Sequence, residues 1–388
     1  MVRNITGSPV EGQNFYGRDS EIAFTWQRLE EGNSIIFPAP RRVGKSSFAK
    51  KLISIADQNG WDTIEINLEE IHTEPDFIIL FIEHLKELSW WDKVKDKTSN
   101  LIEQVGQIKP TFKIDNVEVT LGWQRQLTDV YKKIGELLDH KKNTLIFFDE
   151  VAVLLSMISK AEKGMEQVEK FLHWLRSLRQ ISGTKIRWIF ASSVGIENFT
   201  FMNQLSNTFN DVDRYQLKAF DEMTSLGLIM ELEKSCGIEL NDRIRQDILV
   251  QLKYYIPYFI QILFGKIREL VTLENAQIDD SLVDKAYQAI LNESYLNTWI
   301  ERLKDQYGEF EKDAFAVLRH ICQERKGSKR DNILGVLMHR HSDADKAENL
   351  ISSLLYMLQN DGYLHEDGGL YYFRSPLLRD FWYTRFVK

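Results

Sequence analysis

Short, nearly continuous apolar runs stand at 35–37, 144–148 and 185–191, separated by long stretches in which apolar residues recur every three or four positions. Runs of that length suit strands buried on both faces, and the longer pattern suits amphipathic helices. Residues 61–68 (WDTIEINL) alternate like a further strand, and 211–222 (DVDRYQLKAFDE) reads as a last strand followed by a helix cap. Helices are predicted over 19–29, with Ile22, Trp26 and Leu29 on one face, and over 77–91, 127–138 and 151–180. In the last of these Phe171, Leu172, Trp174, Leu175 and Leu178 share a face. Strands alternating with helices predict an α/β core around a parallel sheet.

From 225 to 296 the pattern turns wholly helical, at 226–233, 243–253 and 258–270. Beyond 310 come helical stretches at 310–325, 330–340 and 344–359. Gly362-Tyr363-Leu364, a Gly368-Gly369 turn and Leu370-Tyr371-Tyr372-Phe373 then read as two short strands, before a closing aromatic helix, SPLLRDFWYTRF. Three helices followed by a hairpin predict a winged helix. The 388 residues thus divide into a core at 1–220 with an irregular insert at about 92–123, a helical lid at 221–300, and a winged-helix region at 301–388.

Composition narrows the setting. The net charge of −8 argues against a whole-molecule polyanion binder but leaves room for a local basic patch. Cys236 and Cys322 are far apart and lack metal-ligand spacing, and no apolar run reaches eighteen residues. A cytoplasmic, reducing environment without a membrane span is the expectation.

The chemistry concentrates at two strand ends. After strand 35–37, Pro38 and Pro40 stop the sheet ladder, and Ala39, Pro40, Arg41, Arg42, Val43, Gly44, Lys45 and Ser46 fit G-x-x-x-x-G-K-[ST] with Ala39 in the first glycine's place. Backbone N–H groups at a helix start hold phosphates, Gly44 permits close approach, Lys45 reaches the β- and γ-phosphates, Ser46 sits on Mg²⁺, and Ser47 continues into the helix. At the second strand end, Thr144–Glu150 (TLIFFDE) presents Asp149 as a metal carboxylate and Glu150 as the residue that polarises an attacking water. Ser192 or Ser193, ending the strand in KIRWIFASSVG, suits a γ-phosphate sensor, although serines also simply begin turns. Arg214 is the candidate arginine finger, in cis or across an interface, beside the commoner structural role. Arg176 and Arg179, beside the apolar face of 171–178, read as solvated surface arginines rather than as residues reaching a neighbouring subunit's phosphates. No [NT]-K-x-D stretch specifies guanine, which favours ATP.

The order of these pieces resembles the archaeal-type STAND ATPases, AAA+-like P-loop proteins close to the origin-recognition group. The likeness rests on the GRDSE box, PRRVGKSS, FFDE, ASSVG and a lid carrying YYIPYFIQ. It implies an ASCE-type core that binds ATP and Mg²⁺, with Tyr16, Gly17 and Arg18 beside the adenine and ribose and Pro257 packing near the adenine. It also implies a nucleotide held between core and lid. Ala39 departs from the pattern, and no sensor-2 arginine stands in the lid, since Lys266 and Arg268 are poorly placed.

The winged helix raises the question of DNA. Residues 309–388 balance twelve Lys or Arg against twelve Asp or Glu, and 343–367 hold six acids with Lys346 as the one base. That is a poor footprint for phosphate contacts, although Arg325, Lys326, Lys329 and Arg330 cluster at one turn. Three functions remain open. One is a slowly hydrolysing ATP switch whose winged helix docks a protein partner or a second copy; another is a DNA-binding ATPase, an initiator, loader or transposition helper; the third, a nucleotide-independent scaffold, requires the Walker pair to be relict.

Overall fold

The computed structural model describes residues 1–38, 40–91, 128–138, 142–192, 195–341 and 343–388. Ala39, Ser193 and the insert expected at about 92–123 lie outside the described residues. Two compact units emerge: one comprises Ser20–Pro38 and Phe48–Tyr215, the other Met1–Asp19, Ala39–Ser47 and Gln216–Lys388.

The first unit is built on a five-stranded sheet with the order β2-β3-β4-β1-β5. Its strands are β1 (Ile35–Phe37), β2 (Asp62–Asn67), β3 (Thr144–Asp149), β4 (Ile186–Ala191) and β5 (Asp213–Arg214), and every pairing is parallel. Parallel strands need crossover helices, which cover the sheet and explain the unbroken apolar runs of β1 and β3. The helices are α1 (Asp19–Glu30), α2 (Lys45–Gln58), α3 (Glu74–Lys86), α4 (128–138), α5 (Val151–Ser159), α6 (Gly164–Arg179) and α7 (Ile196–Met202). Thr73 caps α3 by accepting from the Asp76 N–H, and Pro75 stands in the first turn, where a missing N–H costs nothing. Phe77 and Phe81 then reach Phe148 of β3, with ring centroids 5.4 and 5.5 Å away at near-perpendicular angles.

The second unit contains α8 (Glu222–Cys236), α9 (Asp242–Leu252), α10 (Pro257–Leu273), α11 (Leu282–Asn292) and α12 (Asn297–Gln306). Asp221 caps α8 by accepting from the Thr224 N–H, and Gly237 at φ 70° ends it. Next come α13 (Glu311–Ile321), α14 (Arg330–Met338) and α15 (Ala344–Asn360), with an antiparallel sheet of β6 (Ser328–Lys329), β7 (Leu364–Asp367) and β8 (Leu370–Phe373) in the order β6-β8-β7. Gly368 and Gly369, at φ 58° and 78°, supply the two left-handed residues that a tight hairpin needs. The last helix, α16 (Pro376–Phe386), buries Trp382 against Phe315, Tyr363 and Phe373.

An ion pair lies within this unit. Arg302 of α12 donates to Asp361 at 2.8 Å and the Tyr307 hydroxyl donates to its other oxygen at 2.9 Å. The arginine side chain is 0% exposed and the aspartate 2%. Asp361→Ala strands that cation and is expected to cost about 3–5 kcal/mol, read as a fall in the urea midpoint.

In the first unit, burial pushes the Glu74 carboxyl up to about 8 from the ordinary 4.5, with Lys170 opposing only in part. The folded chain therefore holds a proton that the unfolded chain gives up, so stability falls as pH rises from 4.5 through about 8. Glu74→Gln should flatten that slope in denaturation midpoints measured between pH 5 and 8.

Candidate functional site

Pro38 ends β1 and the chain turns into the loop. Arg42 at φ 66° and Gly44 at φ 97° take left-handed conformations, and Val43 is fully buried. A Cβ at Gly44 would meet open space, so its dihedral, not crowding, calls for glycine there. Lys45, the first residue of α2 and itself buried, donates from Nζ to the Pro40 carbonyl at 2.9 Å. Ser46 is half-buried, and the Ser47 hydroxyl accepts from the Val10 N–H at 2.9 Å.

The residues of the upstream box converge on this loop. Arg18, 3% exposed, donates to the carbonyls of Val43 (3.1 Å) and Lys218 (2.9 Å), with its guanidinium 4.8 Å from the Phe220 ring centre. Gly17 at φ 74° lies so close to α8 that a Cβ would fall 2.6 Å from the Thr224 methyl. The Tyr16 hydroxyl abuts Gly227, where a Cβ would approach it to 2.2 Å. Burial, followed by the Glu231 carboxylate, raises the pKa of that phenol. Arg42 lies over the ring of Tyr258 at 4.4 Å and donates to the Thr6 carbonyl, while Arg41 lies within electrostatic range of Tyr258 and Tyr363. Pro257 occupies the first turn of α10 beside Tyr258. Gly362, at the turn after α15, meets the loop from another side: a Cβ there would fall 2.4 Å from that of Pro40.

In the sheet unit, parallel register brings the other expected residues to one edge. Asn67 pairs with Asp149, Phe148 with Phe190, and Phe37 with Ala191, so β1 to β4 end together. Glu150 follows at φ 59°, its N–H donating to Asp149 Oδ1 at 3.0 Å. A left-handed glutamate is strained by about 1–2 kcal/mol, a cost typical of sites where side-chain direction matters. Ser192, 1% exposed, donates from Oγ to Glu150 Oε2 at 3.1 Å. Arg214 of β5 pairs with Glu197 of α7 at 3.1 Å and keeps 58% of its side chain exposed.

One expectation is corrected. Arg179 is not a solvated arginine: its side chain is 2% exposed, paired with Asp211 at 2.9 Å and flanked by the rings of Phe190 and Phe209. Sequence reasoning also passed over Tyr258, Glu197 and Asn67. Tyr258 directly follows the lid proline and Asn67 ends an alternating strand, which are the only signals the chain offers for them. Lys266 is spent internally on Glu269 and Glu293.

No family profile and no curated protein sequence matches the chain. Solved structures do. A Walker-type ATPase of Pyrococcus abyssi superposes with a TM-score of 0.60 at 14% identity, covering 98% of this chain and 99% of that one. The ORC2 protein of Aeropyrum pernix, solved as ADPNP-ADP complexes, gives 0.55 at 12% identity, covering 99% and 97%. The chain shares the fold of these two proteins. Within its sheet, β4 stands between β1, which leads into the loop, and β3, which is followed by the acidic pair.

Arg18→Ala removes two charge-assisted hydrogen bonds from a buried position. It should lower the unfolding free energy of the full chain by about 3 kcal/mol in urea titrations, with Arg18→Lys falling between the two.

Proposed function

We propose that the protein binds and slowly hydrolyses ATP with Mg²⁺ and acts as a nucleotide-dependent switch of STAND/AAA+ type. The observation that carries this reading is the Ser192–Glu150 hydrogen bond beside Asp149, at the carboxyl edge of a parallel sheet. Open α/β sheets bind ligands at that edge. A carboxylate aimed by a buried hydroxyl suits the orientation of an attacking water.

The residues fit the group by their chemistry. Lys45 holds its ammonium on a backbone carbonyl of the loop, and a phosphate oxygen is a stronger acceptor for that charge. Among the described residues no three His, Cys, Asp or Glu side chains cluster to hold a metal unaided. Mg²⁺ keeps waters and takes phosphate oxygens, so one hydroxyl, Ser46, and one carboxylate, Asp149, suffice. Bound there, the metal would neutralise charge on the transferring phosphoryl group. Glu150 would orient the water and Ser192 would fix Glu150. Arg214 would have to leave Glu197 to reach a phosphate, a partner it could exchange on assembly.

Tyr16, Gly17, Arg18, Pro257 and the stacked pair Arg42–Tyr258 fit the purine end and couple the loop to the lid helices. A switch needs contacts that differ between nucleotide states, and Arg42 has one foot on the loop and its charge on α10. We read 1–220 as core, 221–300 as lid and 301–388 as a winged helix that docks a protein partner or a second copy. The DNA-binding reading is weaker because Arg330, one of the four clustered bases, is engaged by Glu348 at 2.7 Å and by Ser352. No helix among the described residues is long and apolar enough to cross a membrane.

Lys45→Ala should abolish tight ATP binding in calorimetry. Glu150→Gln should retain binding and lose about 10²–10⁴-fold in single-turnover hydrolysis. Normal turnover by Lys45→Ala would refute the assignment.

A further inference from the structure

A cleft of 560 Å³ opens in the second unit, where the end of α9 meets the hairpin sheet and the start of α16. Four cations line it, Lys253, Arg325, Arg374 and Arg379, against one carboxylate, Glu324. Two of these cations are committed to the fold: Arg374 donates to the carbonyls of Leu364 and Gln359, and Arg379 pairs with Asp380 at 2.6 Å. Lys253 and Arg325 are exposed, and neither has an ion-pair partner among the described residues. Their charges flank a wall of rings. Tyr254 lies on one side, and on the other Tyr372 stacks on His365 with centroids 5.4 Å apart and planes at 22°. Gly327 at φ 80° lets that stack lie close to the turn bearing Arg325, since a Cβ there would fall 2.5 Å from the Tyr372 ring.

His365 completes the aromatic side of the cleft. Its Nδ1 is buried with no hydrogen-bond partner among the described residues, although the ring lines the cleft. Buried polar atoms are nearly always satisfied, and this one is shut off from the cleft as well as from partners. Burial and then Arg374 lower the His365 pKa, so at neutral pH the ring is uncharged and offers one donor and one acceptor nitrogen.

Mobile cations around an aromatic platform recognise one kind of molecule well: a flat heterocycle carrying phosphate. The volume lies within the roughly 300–1,000 Å³ typical of small-molecule sites. We propose that this cleft is a second binding site for a phosphorylated nucleoside, separate from the P-loop, with the base stacked on Tyr254 against the edge of the Tyr372–His365 pair and the phosphate taken by Lys253 and Arg325. A free nucleotide and the phosphorylated end of a nucleic acid strand share this chemistry. The site would make the C-terminal region a reader of a second nucleotide signal rather than only a docking module.

Equilibrium dialysis of the full chain tests it, with ATP, AMP and a 5′-phosphorylated tetradeoxynucleotide as probes. Lys45→Ala silences the loop, and Lys253→Asn with Arg325→Gln neutralises two exposed side chains without disturbing the core. The wild type should bind two equivalents of ATP and the Lys45→Ala chain one. Adding the two cleft substitutions should weaken that remaining equivalent about tenfold. Cleft-dependent binding of AMP or ATP identifies a free nucleotide as the source. Cleft-dependent binding of the tetranucleotide alone identifies a strand end. Absence of binding of every probe to Lys45→Ala, or binding unmoved by the cleft substitutions, overturns the proposal. Two equivalents on Lys45→Ala, one of them lost with the cleft substitutions, would instead undo the P-loop assignment and leave the cleft standing.

Discussion

A buried guanidinium cannot shed its proton and must find acceptors, and that constraint organises the second unit around Arg18. Its two acceptors are the Val43 carbonyl in the loop after β1 and the Lys218 carbonyl just ahead of α8, and its flat face rests on Phe220. One side chain therefore ties three stretches far apart in sequence. Gly17 and Gly227 follow from it: once Arg18 is fixed, the backbone before it is forced against α8, and only hydrogen atoms fit at the two crossing points. Arg42, next to Val43 in the loop, repeats the arrangement, with Tyr258 for a platform and Thr6 for an acceptor.

The sheet unit is governed by register. Parallel pairing from Asn67 across to Phe37 leaves the strand ends level, so a carboxylate just past β3 and a hydroxyl just past β4 meet without any further device. The left-handed Glu150 is the local cost of turning the side chain along that edge. Buried rings on both sides of β3 make the edge rigid enough to hold it, because close-packed aromatic layers resist small shifts.

Much of this was legible in the chain. Long apolar runs located β1, β3 and β4 because strands covered on both faces carry no polar alternation to confuse them, and the proline and glycine punctuation fixed where the loop starts. Helices α8 to α10 and α13 to α16 were legible from period, whereas α11 and α12 were not singled out. What the sequence withheld is partnership. Nothing near Arg179 announces Asp211, Phe190 and Phe209, so an arginine at the edge of an apolar face read as solvated when it is in fact enclosed. Glu197 as the companion of Arg214 and Tyr258 as the companion of Arg42 are likewise products of long-range folding, where local pattern carries no information.

The contact between Gly362 and Pro40 bears on how the molecule is made. Synthesis proceeds from the N-terminus, and the loop after β1 leaves the ribosome long before the turn that backs it. Until that turn arrives, Pro40 lacks the neighbour it packs against in the finished unit. The sheet strands β1 to β5 all precede it in the chain, so the most local-looking motif of the sequence is completed by one of its latest pieces. A nascent chain would hold the loop residues in order yet lack their final support, which couples maturation of the loop to completion of the C-terminal region.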